Sequence, residues 1–239
     1  PCPDASSSRT FRRFRPAAFG LLALAAAVTS LAQMRTNVPY ERILNSQSEP
    51  GNWLTYGGNY SAQRYSTLTE ITPANVANLK SLWVYQQAET VKWEVTPLVV
   101  DGVMFVSERP TIVTALDAKT GRKIWTYNRP AMPADVPICC GTNNRGIAVL
   151  GDAVYLNTFD AHLVCIDANT GVERWDKVVI DYRLGYSMTG APLAVKDKIL
   201  VGVAGAEFGI RGLIDAYDAK TGKRVWRFWT IPGPGEPGN

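Results

Sequence analysis

Between residues 97 and 202 the hydrophobic positions come in short runs, each broken by a pair of turn-forming residues. "PLVVDGVMFVS" (97–107), "IAVLGDAVYLN" (147–157) and "PLAVKDKILVG" (192–202) carry Val, Ile, Leu or Tyr on both sides of an Asp-Gly, Gly-Asp or Lys-Asp pair. Runs this short, rich in β-formers and separated by two turn residues, predict β-hairpins rather than helices. Downstream of each hairpin the same eleven-residue phrase returns: "ALDAKTGRKIW" (115–125), "CIDANTGVERW" (165–175) and "AYDAKTGKRVW" (216–226). Trp125, Trp175 and Trp226 are 50 and 51 residues apart, and Asp117, Asp167 and Asp218 keep the same interval.

Within the phrase, Asp-Ala-x-Thr-Gly reads as a tight turn, in which the Asp side chain caps local amides and the Gly takes the positive φ. The tryptophan that follows is large and flat enough to pack between successive sheets. About four strands in every fifty residues predict an all-β chain of β-propeller blades, with repeats near 91–130, 140–180 and 187–230. The WD40 signature, which opens on Gly-His, is absent, and the density of β-formers and turns excludes helical repeats. Residues 51–90 read as a lead-in, with "TPANVANL" as a short helical turn before a strand around Trp83. About three blades are present, and three cannot close a ring. A start at Pro1 and an end in "IPGPGEPGN" read as a fragment of a longer frame, expected to be inactive alone.

Composition is globular: 239 residues, 46% hydrophobic and 19% charged. The formal charge of +4 is concentrated at the start, because four arginines and one aspartate fall in residues 1–32. Taking these from 25 basic and 21 acidic residues leaves 21 and 20, so no basic patch remains to argue for nucleic acid. Residues 1–32 read instead as an export signal. "RTFRRFRP" is a positive n-region, "AAFGLLALAAAVTSLA" an apolar h-region, and Ser30-Leu31-Ala32 offers a cleavage site before Gln33. An N-terminal membrane anchor is the other reading, but the apolar run is short for a span of ~20 residues. Export places the mature chain, 33–239, in an oxidising compartment where a disulfide is permissible.

Three stretches carry candidate chemistry. "ICCGTNNRG" (138–146) sets Cys139 beside Cys140. Adjacent Cα atoms are only ~3.8 Å apart, inside the ~4.4–6.8 Å that disulfides prefer, so a bridge is awkward; buried free thiols and half of a metal site are the competing readings. Cys2 lies in the leader and Cys165 in a repeat phrase, which leaves no second pair for a Cys₄ zinc site. "GVAGAEFGIRG" (202–212) interrupts the third blade between its strands and holds Glu207, a ligand type suited to hard divalent cations. His162, the one histidine, sits in a strand context and reads as structural. No Gly-x-Ser-x-Gly elbow is present, and the letters Gly-x-Gly-x-x-Gly occur only in the proline-broken loop 233–238, with no helical pattern for them to open, so neither a serine hydrolase nor a nicotinamide enzyme is supported.

Together these residues resemble the pyrroloquinoline quinone (PQQ) dependent alcohol and methanol dehydrogenases, an exported family built on an eight-bladed propeller. The resemblance runs from about Asn52 to Asn239. The repeat phrase is similar to the family's tryptophan-docking motif. The stretch Cys139-Cys140-x-x-x-Asn144-Arg145-Gly146 is similar to the segment whose cysteines form a vicinal disulfide against the flat face of PQQ. The resemblance implies PQQ contacts from Glu94, Cys139, Cys140, Arg145, Thr189, Gly205 and Ala206, and a metal ligand in Glu207, the metal being Ca²⁺ or a lanthanide. Ala204 stands where family members often carry Ser, which removes one hydroxyl contact. The implied activity is periplasmic oxidation of a small alcohol to an aldehyde, with electrons passed to a cytochrome c. The family's catalytic base falls in later blades, so no catalytic residue is assigned within 1–239. After signal cleavage the protein is not expected to be an integral membrane protein. A different class, a non-catalytic propeller of PQQ-like repeats acting as an envelope scaffold or sensor, explains the repeats and leader equally well. It leaves the cysteine pair and Gly205-Ala206-Glu207 unexplained.

Overall fold

The computed structural model describes residues 35–87, 92–109, 111–130 and 132–238. The export signal predicted for 1–32 lies outside them. Among these described residues, twelve strands form three four-stranded antiparallel sheets, each a meander whose spatial order follows the sequence. The first blade is β1 (Leu98–Val100), β2 (Val103–Arg109), β3 (Ile112–Asp117) and β4 (Lys123–Asn128). The second is β5 (Ile147–Leu150), β6 (Ala153–Asn157), β7 (His162–Asp167) and β8 (Glu173–Val178). The third is β9 (Leu193–Val195), β10 (Lys198–Gly202), β11 (Leu213–Asp218) and β12 (Arg224–Trp229). Ahead of them stands a short helix, α1 (Tyr40–Leu44), anchored by Ile43 in the core. The all-β expectation and the three repeats are therefore met. The predicted hairpin pairs become the β1–β2, β5–β6 and β9–β10 turns.

Burial follows position within each blade. β5 and β6 are buried at every residue, whereas the fourth strands β4, β8 and β12 are largely exposed. The first case arises because the second blade lies between two others, which removes the polar face that a lone antiparallel sheet would keep. Phe105, Leu156, Leu163, Ile166 and Ile199 are among the largest fully buried side chains.

The repeat phrase supplies the joint between blades. In each turn the Asp carboxylate accepts from backbone amides, as Asp167 does from Asn169 and Thr170 at 2.9 and 2.8 Å. Where the fourth strand begins, every blade carries a bulge at the same place, so that Trp125, Trp175 and Trp226 stand opposite Ala115, Cys165 and Ala216 with one extra residue just before them. A bulge re-aims the side chains beside it. Here Trp125 reaches the second blade, where its indole N–H donates to the Ala168 carbonyl at 3.0 Å and its ring covers Gly171. Gly171, at φ +74°, has no room for a side chain, because a Cβ would lie 2.7 Å from Trp125 Cε3. Trp175 covers Gly222 in the same way, and Trp83 covers Gly121 while donating to the Ala118 carbonyl at 3.2 Å.

Three local differences qualify this regularity. The strand expected around Trp83 is absent: residues 80–87 join no sheet among the described residues, and side chains hold the segment, the Trp83 indole on the Ala118 carbonyl and the Tyr85 hydroxyl donating to Glu108 Oε1 at 2.6 Å. The helical turn expected in 72–79 is a single 3₁₀ turn at Val76–Asn78. At the second joint Trp175 Nε1 is buried without a partner, because the Tyr155 hydroxyl takes the Ala219 carbonyl at 3.1 Å. The equivalent position in the first blade is Phe105, which has no hydroxyl to compete.

Candidate functional site

In a four-stranded meander the segment before the first strand and the second-to-third connection emerge at one end of the sheet. The docking turns, which join the third and fourth strands, lie at the other. Glu94, residues 138–146, Thr189 and residues 203–212 all belong to the first set. Chain topology alone thus brings the candidate residues to one end of three successive blades.

Register makes the relation closer. Leu98, Ala148 and Leu193 stand opposite Phe105, Tyr155 and Leu200, which stand opposite the first residue of each repeat phrase. Four residues before them come Glu94, Asn144 and Thr189, one equivalent position in each blade. Backbone bonds lace these segments together across the blades: Thr96 N donates to Arg145 O at 3.2 Å and Arg145 N to Thr189 O at 3.1 Å. Gly146, at φ +144°, sits in the seam, where a Cβ would touch Thr96 O and Tyr56 Cδ2 at 3.4 Å.

Cys139, Cys140, Arg145, Thr189 and Glu207 line one cleft, together with Asn143 and Ala204. The two cysteines are exposed, and the structure pairs their sulfur atoms. The Arg145 guanidinium, about two-fifths exposed, lies 3.5 Å from the Glu94 carboxylate. Glu94 is therefore joined to the cleft through Arg145 rather than lining it. Glu207 is exposed on a 3₁₀ turn, Ala206–Phe208, within the third-blade insertion. The two residues before it are placed differently. Gly205, at φ +130°, is buried with its α-carbon against the Gly185 carbonyl, which leaves no space for a side chain, and Ala206 is exposed; neither lines the cleft. The insertion is tied back by Ser187 and Ala204, whose backbones exchange bonds of 3.0 and 2.7 Å.

Asn144 holds the loop from inside. Its Oδ1 accepts from Ser107 Oγ at 2.7 Å and Gly146 N at 2.9 Å, and its Nδ2 donates to Asn157 O at 3.0 Å. The sequence marked Asn144 as part of a motif without showing that every one of these bonds is internal. Nothing in the sequence marked Asn143, which is 4% exposed and carries a buried Oδ1 with no partner.

Away from the cleft, His162 opens β7 and belongs to a cluster of charged side chains. Its Nδ1 lies 2.6 Å from Asp176 Oδ1, and Arg129 binds both Asp176 and Asp160 at 2.8–2.9 Å. Burial alone would raise the Asp176 carboxyl, but hydrogen bonds from His162 and Arg129 outweigh it and hold the group below the usual carboxylate range. Cys165 is buried and free, and burial pushes its thiol up to about 12. Among the described residues no three His, Cys, Asp or Glu side chains group to hold a metal ion, and no helix is long and apolar enough to cross a membrane.

Comparison with known proteins gives consistent matches. Residues 53–239 match the family described as glucose/ethanol/alcohol dehydrogenase, beta-propeller domain. A quinohemoprotein alcohol dehydrogenase, ADH-IIG of Pseudomonas putida, is 42% identical over 215 residues, 89% of this chain and 30% of its own length. The 1-butanol dehydrogenase (cytochrome c) of Thauera butanivorans is 42% identical over 190 residues, 78% of this chain and 27% of its own. Among solved structures, the quinohemoprotein alcohol dehydrogenase of Comamonas testosteroni superposes with a TM-score of 0.77 at 38% identity, covering 89% of this chain and 32% of that one. A europium-containing methanol dehydrogenase gives 0.75 at 39%, covering 79% and 34%. The chain thus spans about 30% of the length of the curated relatives it matches.

Proposed function

The chain belongs to the PQQ-dependent quinoprotein alcohol dehydrogenase family, and on that footing we propose that it supplies cofactor-facing loops of a periplasmic enzyme oxidising small alcohols to aldehydes. The observation that carries the proposal is the convergence of Cys139, Cys140, Arg145, Thr189 and Glu207 on one cleft, from loops of two blades. Glu94 reaches in from a third.

The donor set fits the cofactor. PQQ is flat, carries three carboxylates and presents quinone oxygens; when bound it supplies the two-electron acceptor that the protein lacks. Toward such a group the Arg145 guanidinium offers a fork for a carboxylate or quinone oxygen. The Thr189 hydroxyl offers one further donor. Paired as a vicinal disulfide, Cys139 and Cys140 form a compact, polarizable ring suited to one face of a planar molecule. Asn143 lines the same cleft and carries a buried, unpaired Oδ1, an acceptor that a bound group can satisfy.

A metal fits less completely. Glu207 supplies carboxylate oxygens of the kind Ca²⁺ or a lanthanide takes, but it is one ligand in a site that needs six or more. The remainder must come from the cofactor and from parts of the protein outside this chain. The europium-containing relative favours keeping the lanthanide beside Ca²⁺. The relatives named as quinohemoproteins, or as a cytochrome c dehydrogenase, favour a cytochrome c as the electron acceptor.

The test uses protein from the complete reading frame, exported and purified without cofactor. Dye reduction by ethanol and methanol is measured with PQQ and Ca²⁺, PQQ and La³⁺, or metal alone. Activity only with quinone and metal together is the expected result. Glu207→Ala should abolish the metal-dependent part, and mass spectrometry should find Cys139 bridged to Cys140. No activity on a broad alcohol panel and no PQQ binding would instead support the non-catalytic propeller.

A further inference from the structure

The residue between the cysteine pair and Asn144-Arg145 is built in an unusual way. Asn143 is 4% exposed, although Cys140 and Gly141 before it are open to solvent. Its backbone N–H donates to Gly141 O at 2.9 Å, closing the loop, and its Nδ2 donates to Cys140 O at 3.3 Å. A backbone carbonyl can only accept, so the amide nitrogen must face Cys140. That fixes the side-chain oxygen on the other side, where it is buried without a partner. Asn144 next door has all its bonds made inside the protein. Asn157 also carries an unpaired oxygen, but it does not line the cleft; Asn143 does. Buried acceptors are rarely left unmatched, and those that are call for a specific explanation.

We propose that Asn143 is a cofactor-binding and positioning residue, whose Oδ1 accepts a hydrogen bond from PQQ in the cleft. The donor is the cofactor's ring N–H, directly or through one water, because PQQ has no other N–H. On the opposite side of the same amide, Nδ2 fixes the peptide of Cys140. One side chain thus orients the cysteine pair and senses the group lying against it. The proposal rests on the PQQ reading of the cleft.

The test uses apo protein from the complete reading frame, with PQQ affinity measured by quenching of tryptophan fluorescence and thermal midpoints taken with and without PQQ. Asn143→Ala should weaken PQQ binding about five- to tenfold, the effect of one net hydrogen bond, and leave the apo midpoint nearly unchanged. Asn143→Leu, close in shape and apolar, should keep the apo fold and lose the same affinity, which guards against a loop collapsed by the smaller residue. If both variants bind PQQ as the wild type does, the assignment is wrong. A fall in the apo midpoint with unaltered affinity would likewise overturn it, leaving Asn143 a loop-closing residue. Wild-type protein that fails to bind PQQ would overturn the reading of the cleft, and this assignment with it.

Discussion

Gly171→Ala tests how the blades are joined. Gly171 sits at φ +74°, and a Cβ there would lie 2.7 and 2.8 Å from Cε3 and Cδ2 of Trp125 in the preceding blade. Two costs follow. A non-glycine residue in the left-handed region costs about 1–2 kcal/mol. The clash must also lift the indole, loosening its 3.0 Å bond to Ala168 O, which is worth about 1 kcal/mol with lost packing in addition. Gly102 isolates the first cost: its φ is +83° and a Cβ would meet nothing within 4 Å. Gly102→Ala should therefore lose about 1–2 kcal/mol and Gly171→Ala about 2–4 kcal/mol in urea unfolding followed by tryptophan fluorescence. Combining Gly171→Ala with Trp125→Leu gives the cycle that measures coupling. Against the smaller leucine, the cost of Gly171→Ala should fall to that of Gly102→Ala. Equal losses for the two glycines, or no coupling to Trp125, would show that the docked indole does not join the blades.

Other consequences can be checked separately. Arg129→Gln leaves Asp160 and Asp176 partly buried without their cation and should cost about 2–4 kcal/mol at pH 7. Because the folded-state pKa of Asp176 is depressed, that stabilisation is complete above the unfolded value near ~4 and lost as pH falls through the folded one. The gap between wild type and Arg129→Gln in chemical unfolding should therefore narrow below about pH 4. Tyr155→Phe frees the Ala219 carbonyl for Trp175 Nε1, so stability should change by less than about 1 kcal/mol, because one hydrogen bond replaces another; a loss well above that would show that the indole cannot take the vacated acceptor. Cys165, with its thiol at about 12, should be alkylated at pH 8 at least about a thousandfold more slowly in the native protein than after denaturation. Peptide-level mass spectrometry reads this directly, and rapid native labelling would contradict its burial.

The repeated turn and the hairpins were legible because their chemistry is local. Asp117, Asp167 and Asp218 cap their own turns, and Gly121, Gly171 and Gly222 take the positive φ. Trp83 shows the limit of such reading. Its neighbours look like a strand, but a strand needs a partner, which the hydrophobic pattern does not name. In the cleft, Cys139-Cys140, Arg145 and Glu207 were visible through motifs. Gly205 could be read as small without revealing that its job is to pass Gly185. Asn143 was invisible for a physical reason: an asparagine in a loop is ordinarily solvated, and only the fold of the Cys140–Asn143 turn buries it. The Arg129–Asp160–His162–Asp176 cluster is likewise assembled from separate elements of two blades.

The two ends of each blade are under different constraints, and this explains why chemistry gathers at one of them. A docking turn must fit the tryptophan of the preceding blade, so its Asp, Thr and Gly can hardly vary without opening a joint. At the other end the blades are tied mainly through backbone, as in the bonds from Thr96 to Arg145 and from Arg145 to Thr189. Backbone bonds of this kind put no demand on side-chain type, and the equivalent positions accordingly hold Glu94, Thr189 and, turned inward onto Ser107 and Asn157, Asn144. Connection length is free as well: the second and third strands are joined by 110–111, 158–161 and 203–212 in successive blades. The third connection can carry Glu207 because β10 and β11 keep their register beneath it, with Gly202 opposite Ile214. A repeat that fixes its joints at one end can thus build a single asymmetric cleft at the other.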